Sequence, residues 1–548
     1  MVTRKIDQID LMDHQQRQID FLHKHLTINP VVGINSPTGS GKTIMVLKYI
    51  AERLKEAQTK GRPFNVVFST GFNVLVGQVK STIEDLFGVE ANTYSVNSHG
   101  MITIGSNTGN TTTNTNSADD AGFNLYTLAS KSLMFPNVKQ ESAKTTALGQ
   151  LLQVLSNTND PTSKVVVTNH TCLWMYRDLF AKYDLIIVDE VHTYPMFQEL
   201  ANTIEISAKD IDILRSMIET RAQIGNPYAK VFLSGLNMGK VPNRPLHNLT
   251  TDKFEEELGI KLGNKKQPVY TARRFLKQFY TISEAKNNID QFCQVLDNGN
   301  LHWTRFQKCS DIYGAQIICL SATIDSKTRE FMGISPWKNN FFQENDRRYY
   351  QNSAIHVYPT VENEEALAKK MADWIQHNYA NGGLGLIYST TLSFVATAKR
   401  ILSTVTEVHT TVESFQASTS TNKVLIGSTR FSMGLDLPGF DYLLMNRIPF
   451  DRYDEEYRAK QAYFEHVVGK SAWFYMAVAD VENRMNQLIG RLWRDYGNPN
   501  AKSKTIVIWD SRFIPGNKTY HEKLLKNIER PGMKEVIHNE EKDNNANN

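Results

Sequence analysis

The chain has 548 residues, enough for three or four domains at ~100–200 residues each. Hydrophobic residues make up 41% and charged residues 22%, the balance of a soluble globular protein with material for more than one core. The formal net charge of +4 is too weak to imply a nucleic-acid partner by itself, although a basic groove needs only local asymmetry.

Four cysteines, Cys172, Cys293, Cys309 and Cys319, are scattered without a CxxC pair. That speaks against a disulfide framework and for a reducing cytosol. The N-terminus MVTRKIDQID is charged and lacks the apolar stretch of a signal peptide. No apolar run approaches the ~18 residues of a membrane span. A cytoplasmic protein without membrane contact is expected.

In chain order, LMDHQQRQIDFLHKHL (11–26) repeats Leu11, Ile19, Leu22 and Leu26 at helical spacing and predicts an amphipathic helix. VVGIN (31–35), the glycine-rich SPTGSGKT (36–43) and IMVLKYIAERLKEA (44–57) then read as strand, loop and helix. Further strands are predicted at FNVVFST (64–70), KVVVTNH (164–170), YDLIIVDE (183–190) and AQIICLSAT (315–323). A second series comprises GLGLIYST (383–390), NKVLIGST (422–429), FDYLLMNRI (440–448) and KTIVIWD (504–510), with helical patterns between. Continuous β-branched runs indicate strands buried on both faces, as in parallel sheets covered by helices. The fold class is therefore α/β, with two parallel-sheet domains at 1–335 and 336–530 and a disordered tail at 531–548. Two stretches, 81–163 and 195–312, fit neither series and read as insertions in the first domain. The first contains the polar SNTGNTTTNTNSADD, a mobile-loop composition. The second is expected to be largely helical, with KDIDILRSMIETRAQI (209–224) and TDKFEEELGIKL (251–262) as its clear segments.

The chemistry begins at the glycine loop. Gly39 and Gly41 let the backbone curl so that its N–H groups, with Ser40 between them in the loop, surround phosphate oxygens at a helix N-terminus. Lys42 then reaches the β- and γ-phosphates, and the Thr43 hydroxyl binds Mg²⁺. In IIVDEVH (186–192), Asp189 at the end of a buried strand is placed to hold Mg²⁺, and Glu190 to orient or deprotonate the attacking water. A glycine turn that binds nothing, or a solvated acidic pair, is the bland alternative for each half. The two halves together point to a nucleoside triphosphatase using ATP and Mg²⁺.

The form S-x-T-G-x-G-K-T followed by D-E-x-H resembles superfamily 2 helicases, with Ser36 where the usual loop begins with Gly. LSAT (320–323) resembles their third motif, and QLIGRLWR (487–494) matches Q-x-x-G-R-x-x-R. Three stretches are similar to the XPD/DinG branch: VVVTNHTCLW (165–174), STRFSMGLDLPGF (428–440) and MNRIPF (445–450). The resemblance covers both motor domains. It implies two RecA-like domains that sandwich the nucleotide, with Gln487, Arg491 and Arg494 acting from the second. Gly434 and Asp436 belong to the nucleotide site. His192, Ser321 and Thr323 couple hydrolysis to movement, although His192 also reads as a hydrogen-bonded core histidine. Gln15 or Gln16 resembles the glutamine that reads adenine, against the alternative of a surface glutamine. Thr70, Phe72, Asn73, Asn169, His170, Thr390 and Thr391 are the implied DNA contacts, with Phe72 equally fit for the core.

The resemblance also implies a partner and a direction: single-stranded DNA and forked duplex, 5′→3′ movement, action as a monomer. It places an iron–sulfur domain at 81–163 and a helical arch at 195–312. The cluster needs four cysteine thiolates, and 81–163 contains none, so no iron–sulfur cluster and a remodelled domain are expected. Cluster-free DinG-like helicases serve as accessories of type IV CRISPR effectors, which makes a CRISPR ribonucleoprotein a candidate partner. A phage or plasmid replication or repair helicase fits the sequence nearly as well. From another class, an ATP-switched nucleic-acid clamp would keep the loop and DExH without separating strands.

Overall fold

The computed structural model describes residues 5–96, 102–105, 123–130, 147–158, 160–209, 212, 216, 219, 223, 291–295, 298–306, 314–344, 353–359, 362–428, 439–450, 454–468, 477–492, 503–513 and 534–537. The first part of the chain lays down β1 (Val31–Asn35), β2 (Val66–Thr70), β3 (Ala91–Val96), β4 (Ile102–Gly105), β5 (Phe123–Ser130), β6 (Ser163–Asn169) and β7 (Leu185–Asp189). It continues with β8 (Ile204–Ile206), β9 (Gln291–Val295), β10 (Leu301–Arg305), β11 (Gln316–Ser321) and β12 (Phe341–Gln343). Nine of these form one sheet in the order β12-β1-β11-β7-β2-β6-β5-β3-β4. It is parallel except for the antiparallel edge strand β4. β2 and β6 are buried at every position, which is why VVFST and SKVVVTN read as runs rather than alternations. Successive side chains still face opposite ways. Ile187 joins the core under the helices Asp13–His25 and Lys42–Thr59, while Ile186 and Val188 join the core that contains Val191, Tyr194 and Phe331.

This order positions the site. β1, β11, β7, β2 and β6 are consecutive neighbours. The segments that follow them, 36–41, 321–325, 189–192, 70–73 and 169–170, therefore line up along one carboxyl edge, where open parallel sheets bind ligands.

The second part forms β13 (Ala354–Tyr358), β14 (Gly383–Tyr388), β15 (Glu407–His409), β16 (Asn422–Gly427), β17 (Tyr442–Met445), β18 (Thr505–Trp509) and β19 (Lys534–Ile537). They make a parallel sheet in the order β15-β16-β14-β17-β18-β13-β19. The helix Ala479–Leu492 packs Val481, Met485, Leu488, Ile489 and Leu492 into this domain's core. The helix Glu455–Val468 reaches across instead. Its Tyr463 and Phe464 belong to a core of the first domain, where Tyr463 stacks on Phe306 and Phe464 meets Phe331 edge-on.

Several sequence expectations need correction. The first domain extends past residue 335, because β12 pairs in parallel with β1. The second extends past 530, because β19 pairs with β13. Short edge strands of three or four residues leave too little pattern to read. Within 81–163, β3, β4 and β5 do not form a separate layer but extend the main sheet beyond β6. ANTYSV mixes polar and apolar residues as an edge strand does. Within 195–312, the described residues include the helix Tyr194–Asn202 and a three-stranded antiparallel sheet, β8-β10-β9. The helices expected at 209–224 and 251–262 lie largely outside the described residues, as does the Asn/Thr-rich stretch 106–117.

Candidate nucleotide site and interdomain cleft

The glycine loop leaves β1 and ends at Gly41, which caps the helix Lys42–Thr59 with φ 75°. Gly39 is also left-handed, with φ 78°, so both glycines supply the turn that L side chains resist. The Lys42 ammonium donates to the carbonyls of Ser36 (2.8 Å) and Pro37 (3.1 Å), and the loop curls around it. The preceding helix, Asp13–His25, braces the loop from outside. His14 Nε2 lies 2.8 Å from the Ser40 carbonyl, and the Gln15 amide donates to the carbonyls of Ser40 and Gly41, both at 3.2 Å. Gln18 donates to the Ser36 hydroxyl (3.1 Å), which in turn bonds the Ser40 hydroxyl (2.8 Å). Ser36 thus gives the first loop position a side-chain anchor that glycine lacks. Of the two glutamines singled out in the sequence, Gln15 belongs to the loop. Gln16 does not: it is exposed and bonds Asp20. His14 and Gln18 were not foreseen.

The carboxylates stand at the end of β7. Burial, and then the adjacent Glu190 carboxylate, push the Asp189 carboxyl above its ordinary range, while Lys42 opposes the shift. Glu190 has φ 53°, a left-handed conformation rare outside glycine. Thr193 holds it there, donating to the Glu190 carbonyl from its N–H (2.9 Å) and its hydroxyl (2.8 Å).

Glu190 joins a chain of polar contacts through Ser321. The Ser321 hydroxyl lies 3.3 Å from Glu190 Oε2 and 2.8 Å from His192 Nδ1, and it accepts the Thr323 N–H at 3.1 Å. The Gln487 amide, from the second domain, meets His192 Nε2. One assignment satisfies every member. A hydroxyl has one proton and two lone pairs, so Ser321 donates to Glu190 and accepts from Thr323 and from His192 Nδ1–H. His192 Nε2 is then the acceptor for Gln487. This requires a neutral imidazole, and burial lowers the His192 pKa despite the nearby Glu190.

The second domain closes the cleft with the helix Ala479–Leu492, on the side opposite its apolar face. Thr38 of the loop donates to the Gly490 carbonyl at 3.4 Å, and Arg491, the next residue, is buried. Asp480 pairs with Lys327 and Asn483 with Asp325 in the first domain. Gly434, Asp436 and Arg494 lie outside the described residues.

The residues expected to touch DNA divide in two. Thr70 and His170 are fully buried, and neither side chain reaches a strand lying on the surface. His170 bonds Ser69 through Nδ1 (2.8 Å), and burial, followed by His192, lowers its pKa to about 3. It therefore stays neutral and carries no charge to a phosphate. Asn169 is buried as well and caps the helix His170–Met175, accepting the Cys172 N–H at 2.9 Å; its amide donates to Asn73 (2.7 Å). Asn73 and Thr391 are exposed at helix N-termini, while Phe72 and Thr390 are half-buried. Phe72 meets Phe197 edge-on.

The residues present suit a nucleotide with Mg²⁺. A Cβ at Gly41 would lie 2.3 Å from the Gln15 amide nitrogen, so the backbone there is closely held in the conformation of a phosphate cradle. Mg²⁺ binds through one or two protein oxygens plus phosphates and waters, and Thr43 with Asp189 would supply donors of that kind. Among the described residues, no group of three or more His, Cys, Asp or Glu is placed to hold a metal ion. Cys172 and Cys319 are buried thiols outside any disulfide. No described helix is long and apolar enough to cross a membrane.

Comparison with known proteins agrees with this geometry. Residues 366–530 match the helicase C-terminal domain family, and residues 8–212 match the type III restriction enzyme, res subunit family. No curated protein matches the chain. The fold is similar to that of S. tokodaii Xpd4, at 14% identity and a TM-score of 0.55, over 96% of this chain and 100% of that one. It is equally similar to an XPD helicase structure, at 16% identity and a TM-score of 0.55, over 97% and 100%. Loop, DExH strand and arginine helix meet in one cleft between two parallel-sheet domains: the chain is an ATP-dependent motor of the helicase class. The C-terminal half thus carries a helicase-domain match, and the fold over nearly the whole chain is the one seen in XPD helicase structures.

Proposed function

We propose that this protein is a DinG-type DNA motor: it hydrolyses ATP, moves 5′→3′ on single-stranded DNA and separates forked duplex. The observation that carries the reading is the chain Glu190–Ser321–His192–Gln487. It joins the hydrolytic carboxylate to the second domain, so a change at one is felt at the other.

In this reading the loop N–H groups and Lys42 bind the phosphates. Glu190 takes a proton from the attacking water, and Ser321 fixes the carboxylate that does so. Arg491 and Arg494 approach from the second domain and stabilise charge on the transferring phosphoryl group. Thr43 and Asp189 would hold Mg²⁺, which when bound would neutralise phosphate charge. Gln487 senses the state of the site through His192, and the domains open or close. Asn73 and Thr391, one on each domain, are exposed at helix N-termini, where backbone N–H groups favour phosphates. Alternate grip by the two domains moves the strand. The protein acts as a single copy, as an accessory recruited to a type IV CRISPR effector.

The test is ATP hydrolysis measured alone, with single-stranded DNA and with single-stranded RNA, against Lys42→Ala as the inactive control. DNA-stimulated turnover that disappears in the control is expected. Stimulation by RNA alone, or by neither polymer, contradicts the DNA reading.

A further inference from the structure

The helix Ala479–Leu492 touches the first domain at Asp480, Asn483, Gln487 and Gly490, spaced three, four and three residues apart along one face. Gln487 and Gly490 belong to the nucleotide cleft. The other two contacts meet the segment that follows Ser321-Ala-Thr323. Lys327 Nζ lies 2.6 Å from Asp480 Oδ1, with only 8% of Lys327 exposed. Asn483 Nδ2 donates to Asp325 Oδ2 at 2.5 Å. The other oxygen of Asp325 accepts the Thr328 N–H at 2.6 Å and caps the helix Ser326–Met332. The Asp325 carboxylate is therefore held in place from behind.

We propose that Lys327–Asp480 and Asp325–Asn483 are positioning pairs for hydrolysis, which set the register and rotation of the arginine helix over the nucleotide. A contact at Gln487 alone leaves the helix free to rotate about that point. Asn483 and Asp480 lie four and seven residues away, roughly 6 and 10 Å at 1.5 Å per residue. Contacts at those distances on the same face fix both the slide and the roll of the helix. Arg491 follows on that side, so its approach to the phosphate is fixed with them. The pairs also tie the segment after Ser321, whose hydroxyl holds Glu190, to the helix that carries Arg491. Base and arginine then move as one unit, by a route separate from His192–Gln487. A cavity of ≈110 Å³ beside the pairs, lined among others by His192, Lys460 and Gln487, leaves room for them to part when the cleft opens.

The inference rests on the ATP-hydrolysing reading above and is tested on the full chain. Lys327→Asp, Asp480→Lys and the double exchange would be compared with wild type for kcat and KM in DNA-stimulated ATP hydrolysis, with Tm alongside. Asn483→Asp, of nearly unchanged shape, sets a like charge against Asp325 and serves as the variant least prone to misfold. A displacement of about 1 Å in a reacting group costs on the order of 100-fold. The single reversals and Asn483→Asp should therefore lower kcat about 10- to 100-fold, with KM nearly unchanged and Tm close to wild type. The double exchange should recover most of the loss. Wild-type kcat in the single reversals and in Asn483→Asp overturns the inference. So does a loss that only follows Tm, or a double exchange no better than its parents. A wild-type protein without ATPase activity sinks the functional reading itself and is told apart by that.

Discussion

Gly490 packs against Thr38 of the phosphate loop across the cleft, and replacing it with alanine is a sharp perturbation of that contact. A Cβ at that position would lie 2.3 Å from Thr38 Oγ1, 3.2 Å from its Cγ2 and 3.3 Å from its Cβ. Real contacts are not that short, so the arginine helix or the phosphate loop must shift. Within the helix alone the change favours folding by ~0.5–1 kcal/mol, because glycine is the poorer helix former. Across the cleft, overpacking costs ~1–3 kcal/mol. At ~1.4 kcal/mol per factor of ten, kcat/KM for ATP should fall about 5- to 100-fold. The assay is DNA-stimulated ATP hydrolysis with a thermal melt alongside, and Tm is expected to hold or fall by no more than a few degrees, because the helix gain offsets part of the overpacking. Thr38→Ala in the Gly490→Ala background removes the Oγ1 and Cγ2 contacts and should restore part of the activity. Full activity in Gly490→Ala refutes the closed cleft described here. So does a loss that Thr38→Ala leaves untouched.

Other expectations follow from the same geometry. Gln18→Ala removes the donor to Ser36 at the base of the loop, a loss of ~1 kcal/mol; titration with a nucleotide analogue should show binding weakened about 5-fold. Thr193→Val keeps the shape but removes the hydroxyl that holds Glu190 left-handed, so kcat should fall while nucleotide affinity stays. The Glu456 carboxylate, 3.2 Å from His302 Nε2, raises the pKa of that histidine above 6.5 and outweighs burial. A raised folded pKa means the pair stabilises fully below about pH 6.5 and is lost as pH rises through the folded value. Denaturant melts of wild type and His302→Gln should differ most near pH 6, by no more than ~1 kcal/mol after solvent screening, and converge in alkaline buffer.

Much of this architecture was legible because the central strands are buried on both faces. β2, β6, β7 and β11 appear as unbroken β-branched runs, and each ends at a segment that carries chemistry. The nucleotide loop was legible because glycine at two left-handed positions before a lysine and a helix has few other uses. Burial at strand ends was not. Thr70 and His170 follow strands as expected but face inward, and sequence does not say on which side of the chain a terminal residue falls. His14 and Gln18 matter only because their helix docks against the loop, a tertiary fact hidden in an ordinary amphipathic pattern. The same holds for Asp480 and Asn483. The helix Ala479–Leu492 is apolar on one face, and nothing local shows that its polar face is also covered. Tyr463 and Phe464 read as part of the second domain, yet they fill a core in the first.

The central claim is a DNA motor that moves 5′→3′, and strand displacement tests it most directly. Two partial duplexes, one with a 5′ tail and one with a 3′ tail, would be given to the wild-type protein with ATP and Mg²⁺, with Lys42→Ala as control. Displacement from the 5′ tail only, absent in the control, is the predicted result. Displacement from the 3′ tail contradicts the direction, and failure to open either duplex while DNA still stimulates ATP hydrolysis marks the protein as a clamp or translocase that does not separate strands.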